Sequence, residues 1–158
     1  VSDKCQTGVR HRKEGDYLKA EDYLLQVRML NKKINNKKIE LSQLRSMTTS
    51  TSAPITGERV QSSHAGDELG SMICKIVTME QEIIEQIDRF VDLKQEIISV
   101  IEQCSEPDVY DVLHMYYIQE LTWKQVSKKK RFTYQWIKEL NRKGLEEVQT
   151  LLNNKNIG

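Results

Sequence analysis

Apolar residues recur at helical spacing along most of this chain, and the pattern changes character at two places. From about Tyr17 to Ser46, Ala20, Tyr23, Val27, Leu30, Ile34, Leu41 and Leu44 alternate three and four residues apart. That is the seam of a helix packed lengthwise on a neighbour. Lys37 falls on the seam, where a long aliphatic stem can carry its ammonium out to water without breaking the helix. The pattern then stops. Thr48 to Ala65, TTSTSAPITGERVQSSHA, has a Ser/Thr run, Pro54 and Gly57, which predicts a loop at about 47–66. A connection of that length is often functional or mobile.

Periodicity resumes near Gly66 or Asp67 and persists until just before Pro107. The seam reads Leu69, Met72, Ile76, Met79, Ile83, Gln86, Phe90, Leu93, Ile97 and Val100. A second apolar set lies beside it: Ile73, Ile84, Ile87, Val91, Ile98 and Ile101. One neighbour needs a narrow stripe, and a wider face needs more partners. Two occupants fit the extra width: the C-terminal part of the same chain, or a second subunit forming a homodimer through the long helices as a four-helix bundle.

Beyond Pro107 the elements become short. Ser105 or Asp108 is the expected cap, with Pro107 in the first turn. Asp108 to Gln119 carries Val109, Val112, Leu113, Tyr116 and Tyr117 at helical spacing, and Leu121 ends a turn. Thr122 can cap a helix containing Trp123 and Val126. Thr133 can cap a last helix from Tyr134 to about Leu152, with Ile137, Leu140, Leu145, Val148 and Leu151 on its apolar face. The expected architecture is all-α. A flexible tail (1–16) precedes a long antiparallel, coiled-coil-like helical hairpin (17–104), then a helix-turn-helix domain (105–152) and a short tail (153–158). In a helix-turn-helix the first helix braces the second, whose N-terminal turns enter the major groove.

Charge sharpens this picture. The net charge is only +1, yet Lys124, Lys128, Lys129, Lys130, Arg131, Lys138, Arg142 and Lys143 fall within twenty residues against Glu139 alone. A basic face confined to two capped helices is the footprint of phosphate binding. Tyr134, Gln135 and Lys138, in the first turns of the last helix, are the candidates for base edges. Gln can pair with adenine and Lys can reach guanine. Lys128, Lys129, Lys130, Arg131, Arg142 and Lys143 are the candidates for phosphates, which position without specifying. Trp123, Val126, Phe132, Ile137 and Leu140 are expected in the core. Trp136 fits a core or edge-covering role better than a DNA contact.

These residues carry a resemblance. YYIQELTWKQVSKKKRFTYQWIKELNRKGLEEV (Tyr116–Val148) resembles region four of bacterial sigma factors, with Leu121-Thr122-Trp123, Val126, Phe132-Thr133 and Ile137 at cap and core positions. APITGERVQSS (Ala53–Ser63) and KIVTMEQEIIEQIDRFVDLKQEI (Lys75–Ile97) are similar to small proteins of phages and prophages of Gram-positive bacteria, the RinA- and ArpU-like late-gene transcriptional regulators. The likeness spans about Glu21 to Leu152. It implies a phage-encoded transcription regulator, an activator of late genes that binds double-stranded promoter DNA with host RNA polymerase in the host cytoplasm. Three positions depart from the sigma pattern. Lys130 and Arg131 occupy turn positions where an apolar residue and a Gly or Asn are usual, and Gly144 replaces an alanine inside the last helix, a change that costs about 1 kcal/mol of helix propensity. The chain carries no region-two sequence.

Composition narrows the alternatives. Charged residues make up 30% and aromatics 6%, with two prolines, which suits solvated helices better than sheets. Cys5, Cys74 and Cys104 are too scattered for a zinc site or a disulfide framework. His11, His64 and His114 have no triad or ligand spacing, and no phosphate-cradling glycine loop occurs, so neither an enzyme, a cofactor nor a metal is expected. The polar start and the absence of a long apolar run lead to the expectation of a soluble, cytoplasmic protein. The basic cluster Arg10–Lys13 is expected to be solvated. Gly57, Glu58, Arg59, Val60 and Gln61 fit a structured turn as well as a binding loop. Two other functions remain open at this point. One is a small terminase-like DNA-packaging protein. The other is a protein-binding module contacting RNA polymerase without touching DNA.

Overall fold

The structure, a computed structural model, describes residues 15–51 and 63–155. All regular structure among them is helical: α1 (Gly15–Thr51), α2 (Ser63–Ile101), α3 (Pro107–Leu113) continuing into a π-helical turn (His114–Ile118), α4 (Trp123–Lys130) and α5 (Tyr134–Lys155). They fall into two compact units, one built from the described residues of 1–25 and 98–158, the other from Gln26–Ile97. The basic cluster Arg10–Lys13 and the loop residues Gly57–Gln61 lie outside the described residues.

In the unit Gln26–Ile97, the heptad spacing of α1 buries Val27, Ile34 and Leu41, and α2 buries Ile83 and Ile97. Each such side chain contributes about 1.5–3 kcal/mol when withdrawn from water. Lys37 lies between Ile34 and Leu41 with its ammonium at an exposed ion pair. It ion-pairs with Glu82 of α2, and Arg45 pairs with Glu80. The helix α1 also outlasts its predicted end. Ser46, Thr48, Thr49 and Ser50 donate their hydroxyls back to the carbonyls of Ser42, Arg45 and Ser46 at 2.7–3.2 Å. The same hydroxyls that favour a turn when aimed forward can be accommodated in a helix when aimed back.

The second unit is organised around α5. Its apolar face buries Ile137, Leu140, Leu145 and Val148, against Val109, Val112 and Leu113 of α3 and Val126 of α4. Gly144 permits the closest approach. A Cβ there would lie 2.7 Å from Leu113 Cδ1 and 2.9 Å from both Leu113 Cγ and Val109 Cγ1. The glycine that weakens the helix locally is what lets α3 lie against it.

The start of α3 differs from expectation. Pro107 is at its first position, but the cap residue is Glu106, which makes no side-chain cap bond. Ser105 instead serves α5: its N–H donates to Glu147 Oε2 at 2.7 Å and its hydroxyl to the same carboxylate at 3.1 Å. The predicted helix from Asp108 to Gln119 is also interrupted. After Leu113 the chain widens into the π turn, closed by the Gln119 N–H on the His114 carbonyl at 3.0 Å. The wider turn changes which faces are inward. Tyr117 and Ile118 are both buried, while Tyr116 is left half-buried.

Candidate nucleic-acid interface

The segment from Thr122 to Lys138 is held by local bonds that the sequence makes legible. Thr122 and Gln125 form a reciprocal capping box: the Gln125 N–H donates to Thr122 Oγ1 at 3.3 Å, and the Thr122 N–H to Gln125 Oε1 at 2.8 Å. That satisfies two of the otherwise orphaned donors at a helix start. The helix α4 ends at Arg131, in the left-handed region at φ 58°, ψ 32°. Ser127 then fixes the turn. Its carbonyl accepts from the N–H groups of Arg131 and Phe132, and its hydroxyl donates to the Phe132 carbonyl at 2.6 Å. Thr133 Oγ1 accepts from the Trp136 N–H at 3.2 Å and opens α5. Only Arg131, Phe132 and Thr133 separate the two helices. The departure at Arg131 therefore leaves a left-handed turn intact, at a cost of about 1–2 kcal/mol for a residue with a Cβ.

Behind this turn lies an aromatic stack. The ring of Trp123 lies 3.5 Å from that of Tyr116 between centroids, at 11°, and Lys138 Nζ sits 4.3 Å from the Trp123 ring centre. Trp123 and Phe132 are therefore half-buried rather than core, whereas Val126, Ile137 and Leu140 are fully inside. Tyr134, Gln135 and Lys138 are all exposed on the first turns of α5. Trp136 is 44% exposed, with Lys143 Nζ 5.6 Å from its ring. It is not a fully buried core residue, one of the two roles expected for it.

The cations divide into two groups. Lys124, Lys128 and Arg131 are exposed and take part in no ion pair among the described residues, and Lys129 is exposed with its ammonium 3.5 Å from Gln119 Oε1. The others are compensated within the fold. Lys130, only 17% exposed, reaches back to Asp111 at 2.6 Å and Asp108 at 2.9 Å. The hydrogen bond to Asp111, then that to Asp108, raises its pKa above the ordinary 10.5. Arg142 is held between Glu139 and Glu146, which lowers the Glu139 carboxyl below its usual range. Lys143 Nζ lies 3.6 Å from Glu106. Of the six proposed phosphate ligands, Lys128, Lys129 and Arg131 thus project from α4 and its turn, while Lys130, Arg142 and Lys143 have carboxylate neighbours. Beyond Lys138, α5 carries Glu139, Glu146 and Glu147 alongside Arg142 and Lys143. Within Lys124–Lys143, the cations without an ion pair among the described residues are Lys124, Lys128, Lys129 and Arg131 of α4 and its turn, together with Lys138, which lies against the Trp123 ring. Lys124, counted above as charge but not assigned a contact, belongs to the same exposed set.

Among the described residues no three His, Cys, Asp or Glu side chains converge as a metal site, and no helix is long and apolar enough to cross a membrane. No protein-family model, curated protein or solved structure matches the chain.

Proposed function

We propose that α4 and α5 constitute a helix-turn-helix that binds double-stranded DNA, and that the protein is a sequence-specific transcription regulator of the phage late-gene type its sequence resembles. The observation that carries this reading is the division of charge. Lys124, Lys128 and Arg131, exposed and without an ion pair among the described residues, flank the first turn of α5, while Lys130, Arg142 and Lys143 have carboxylate neighbours. Under this reading Tyr134, Gln135 and Lys138 meet base edges in the major groove. Lys128, Lys129 and Arg131 contact the phosphates on either side. No acidic residue occupies the first turn of α5, so the positive end of the helix dipole faces the DNA unopposed. The long helices α1 and α2 form an antiparallel hairpin in this proposal, supported by the pairs Lys37–Glu82 and Arg45–Glu80. The protein acts in the cytoplasm of the host cell.

A second reading has one observation in its favour. Tyr134 and Trp136 are 54% and 44% exposed on the same turn of α5. Solvent-facing aromatics of this kind anchor protein partners, and here the partner would be RNA polymerase.

The test is retention of genomic fragments by the purified protein at two salt concentrations with competitor DNA. A regulator retains one promoter fragment, and Gln135→Ala/Lys138→Ala abolishes the preference. Charge reversal at Lys124, Lys128 and Arg131 with no loss of promoter activity in cells favours the polymerase reading. Uniform, strongly salt-dependent retention favours packaging.

A further inference from the structure

The helix α2 has a second apolar stripe whose members from Ile73 to Val91 are left exposed or half-buried among the described residues. Ile73, Val77, Ile84 and Val91 are 50%, 58%, 53% and 46% exposed. Val77, Ile84, Val91 and Ile98 are each seven residues apart and all β-branched, and the positions three residues after the first three are Glu80, Ile87 and Lys94. This is a heptad seam, and its exposed members from Ile73 to Val91 span about 27 Å at 1.5 Å per residue. Exposed apolar surface of that extent marks an interaction site.

Its two charged interruptions identify the occupant. Glu80 and Lys94 stand seven residues on either side of Ile87, at equivalent seam positions and with opposite signs. In a parallel pair of α2 helices, Glu80 would face Glu80 and Lys94 would face Lys94. In an antiparallel pair centred near Ile87, Glu80 of each chain comes within a turn of Lys94 of the other, and Ile84, Ile87 and Val91 fill the middle. We infer that this stripe is the interface of an antiparallel homodimer, with a second copy of the chain as its occupant and the Glu80–Lys94 exchange setting orientation and register. Polar residues placed singly in an apolar seam act in this way, specifying alignment at some cost in affinity. Arg45 also pairs with Glu80, from the α1 side of the carboxylate. The inference does not depend on DNA binding.

The test is sedimentation equilibrium of the full chain over a hundredfold range of concentration from about 1 µM, where a reversible dimer dissociates on dilution. The wild type gives twice the chain mass at the upper end. Ile84→Glu/Val91→Glu, two changes at exposed positions whose folding is checked by helical circular dichroism, gives one chain mass throughout. Lys94→Glu leaves the Arg45–Glu80 pair in place and weakens the dimer by about tenfold or more, because two like-charged contacts replace two attractive ones. Adding Glu80→Lys to Lys94→Glu restores the affinity to within about threefold of wild type. A wild-type monomer at every concentration, a larger assembly, or a dimer indifferent to Ile84→Glu/Val91→Glu overturns the interface. Unchanged affinity in Lys94→Glu overturns the antiparallel arrangement.

Discussion

Gly144→Ala sets two known effects against each other inside α5. Alanine is favoured over glycine in a helix interior by about 1 kcal/mol, so propensity alone makes the variant more stable. The added methyl, however, would stand 2.7 Å from Leu113 Cδ1 and 2.9 Å from Leu113 Cγ and Val109 Cγ1. Carbon atoms settle at about 3.5–4.0 Å, so both neighbours must retreat by close to 1 Å. Neither has room, since Leu113 and Val109 are both fully buried. Overpacking of this kind costs about 1–3 kcal/mol, and the balance is a net loss of about 1 kcal/mol. Urea unfolding followed by tryptophan fluorescence reports on this unit directly, because Trp123 and Trp136 both lie in it. The expected result is a lower midpoint at unchanged m. Val109→Ala makes space, so the double variant Val109→Ala/Gly144→Ala is less destabilised than the sum of the singles by about 1 kcal/mol. A stability gain of about 1 kcal/mol in Gly144→Ala would refute the argument, leaving propensity in control and the close approach inconsequential.

Other outcomes follow from the division of charge and from the turn. Lys130→Ala leaves Asp108 and Asp111 facing each other without a cation, and lowers stability by about 1–2 kcal/mol in urea titrations. DNA affinity, measured where both proteins are folded, changes little, whereas Lys128→Ala weakens binding and reduces the salt slope by about one. Because folding raises the Lys130 pKa, its stabilisation is full below the ordinary value of 10.5 and is lost as pH climbs through the folded value. Melting curves of wild type and Lys130→Ala should therefore converge at strongly alkaline pH and stay apart near neutrality. Arg131→Gly relieves the left-handed backbone and raises the melting temperature or leaves it unchanged, yet weakens DNA retention; a parallel fall in both would count against a direct contact. In a Cys5→Ser background, Cys104 reacts with a thiol reagent at pH 8 far more slowly than the exposed Cys74. Burial and the Glu147 charge push the Cys104 thiol up to about 11. Equal rates would show that the loop around Cys104 opens readily.

Much of this organisation can be read from the residues because it is set locally. Thr122 with Gln125, and Thr133 before α5, announce their helix starts through short-range bonds that need no tertiary context. The seven-residue spacing of Val27, Ile34 and Leu41 likewise marks which side of α1 is inward. Other features depend on distant partners. Lys130 reads as one more cation in KKKR until Asp108 and Asp111 are brought beside it, whereas the Arg142 partners Glu139 and Glu146 are three and four residues away on its own helix, a spacing already visible in the sequence. Ser105 reads as a cap for α3, but its partner is Glu147, forty-two residues away. The Ser46–Ser50 hydroxyls can bond forward in a turn or backward in a helix, and composition alone does not choose between them.

The π turn at His114–Ile118 makes the chain sensitive to length at a particular place. An α-helix advances about 100° per residue, so a turn holding one extra residue offsets everything after it by that angle relative to α3. Removing a single residue between His114 and Ile118 would let the segment close as an ordinary α-helix, and the tyrosine pair would rotate with it. Tyr117 would leave the interior and Tyr116 would lose its place against Trp123. Point substitutions on the exposed side of this segment should be tolerated, whereas a one-codon deletion should not be.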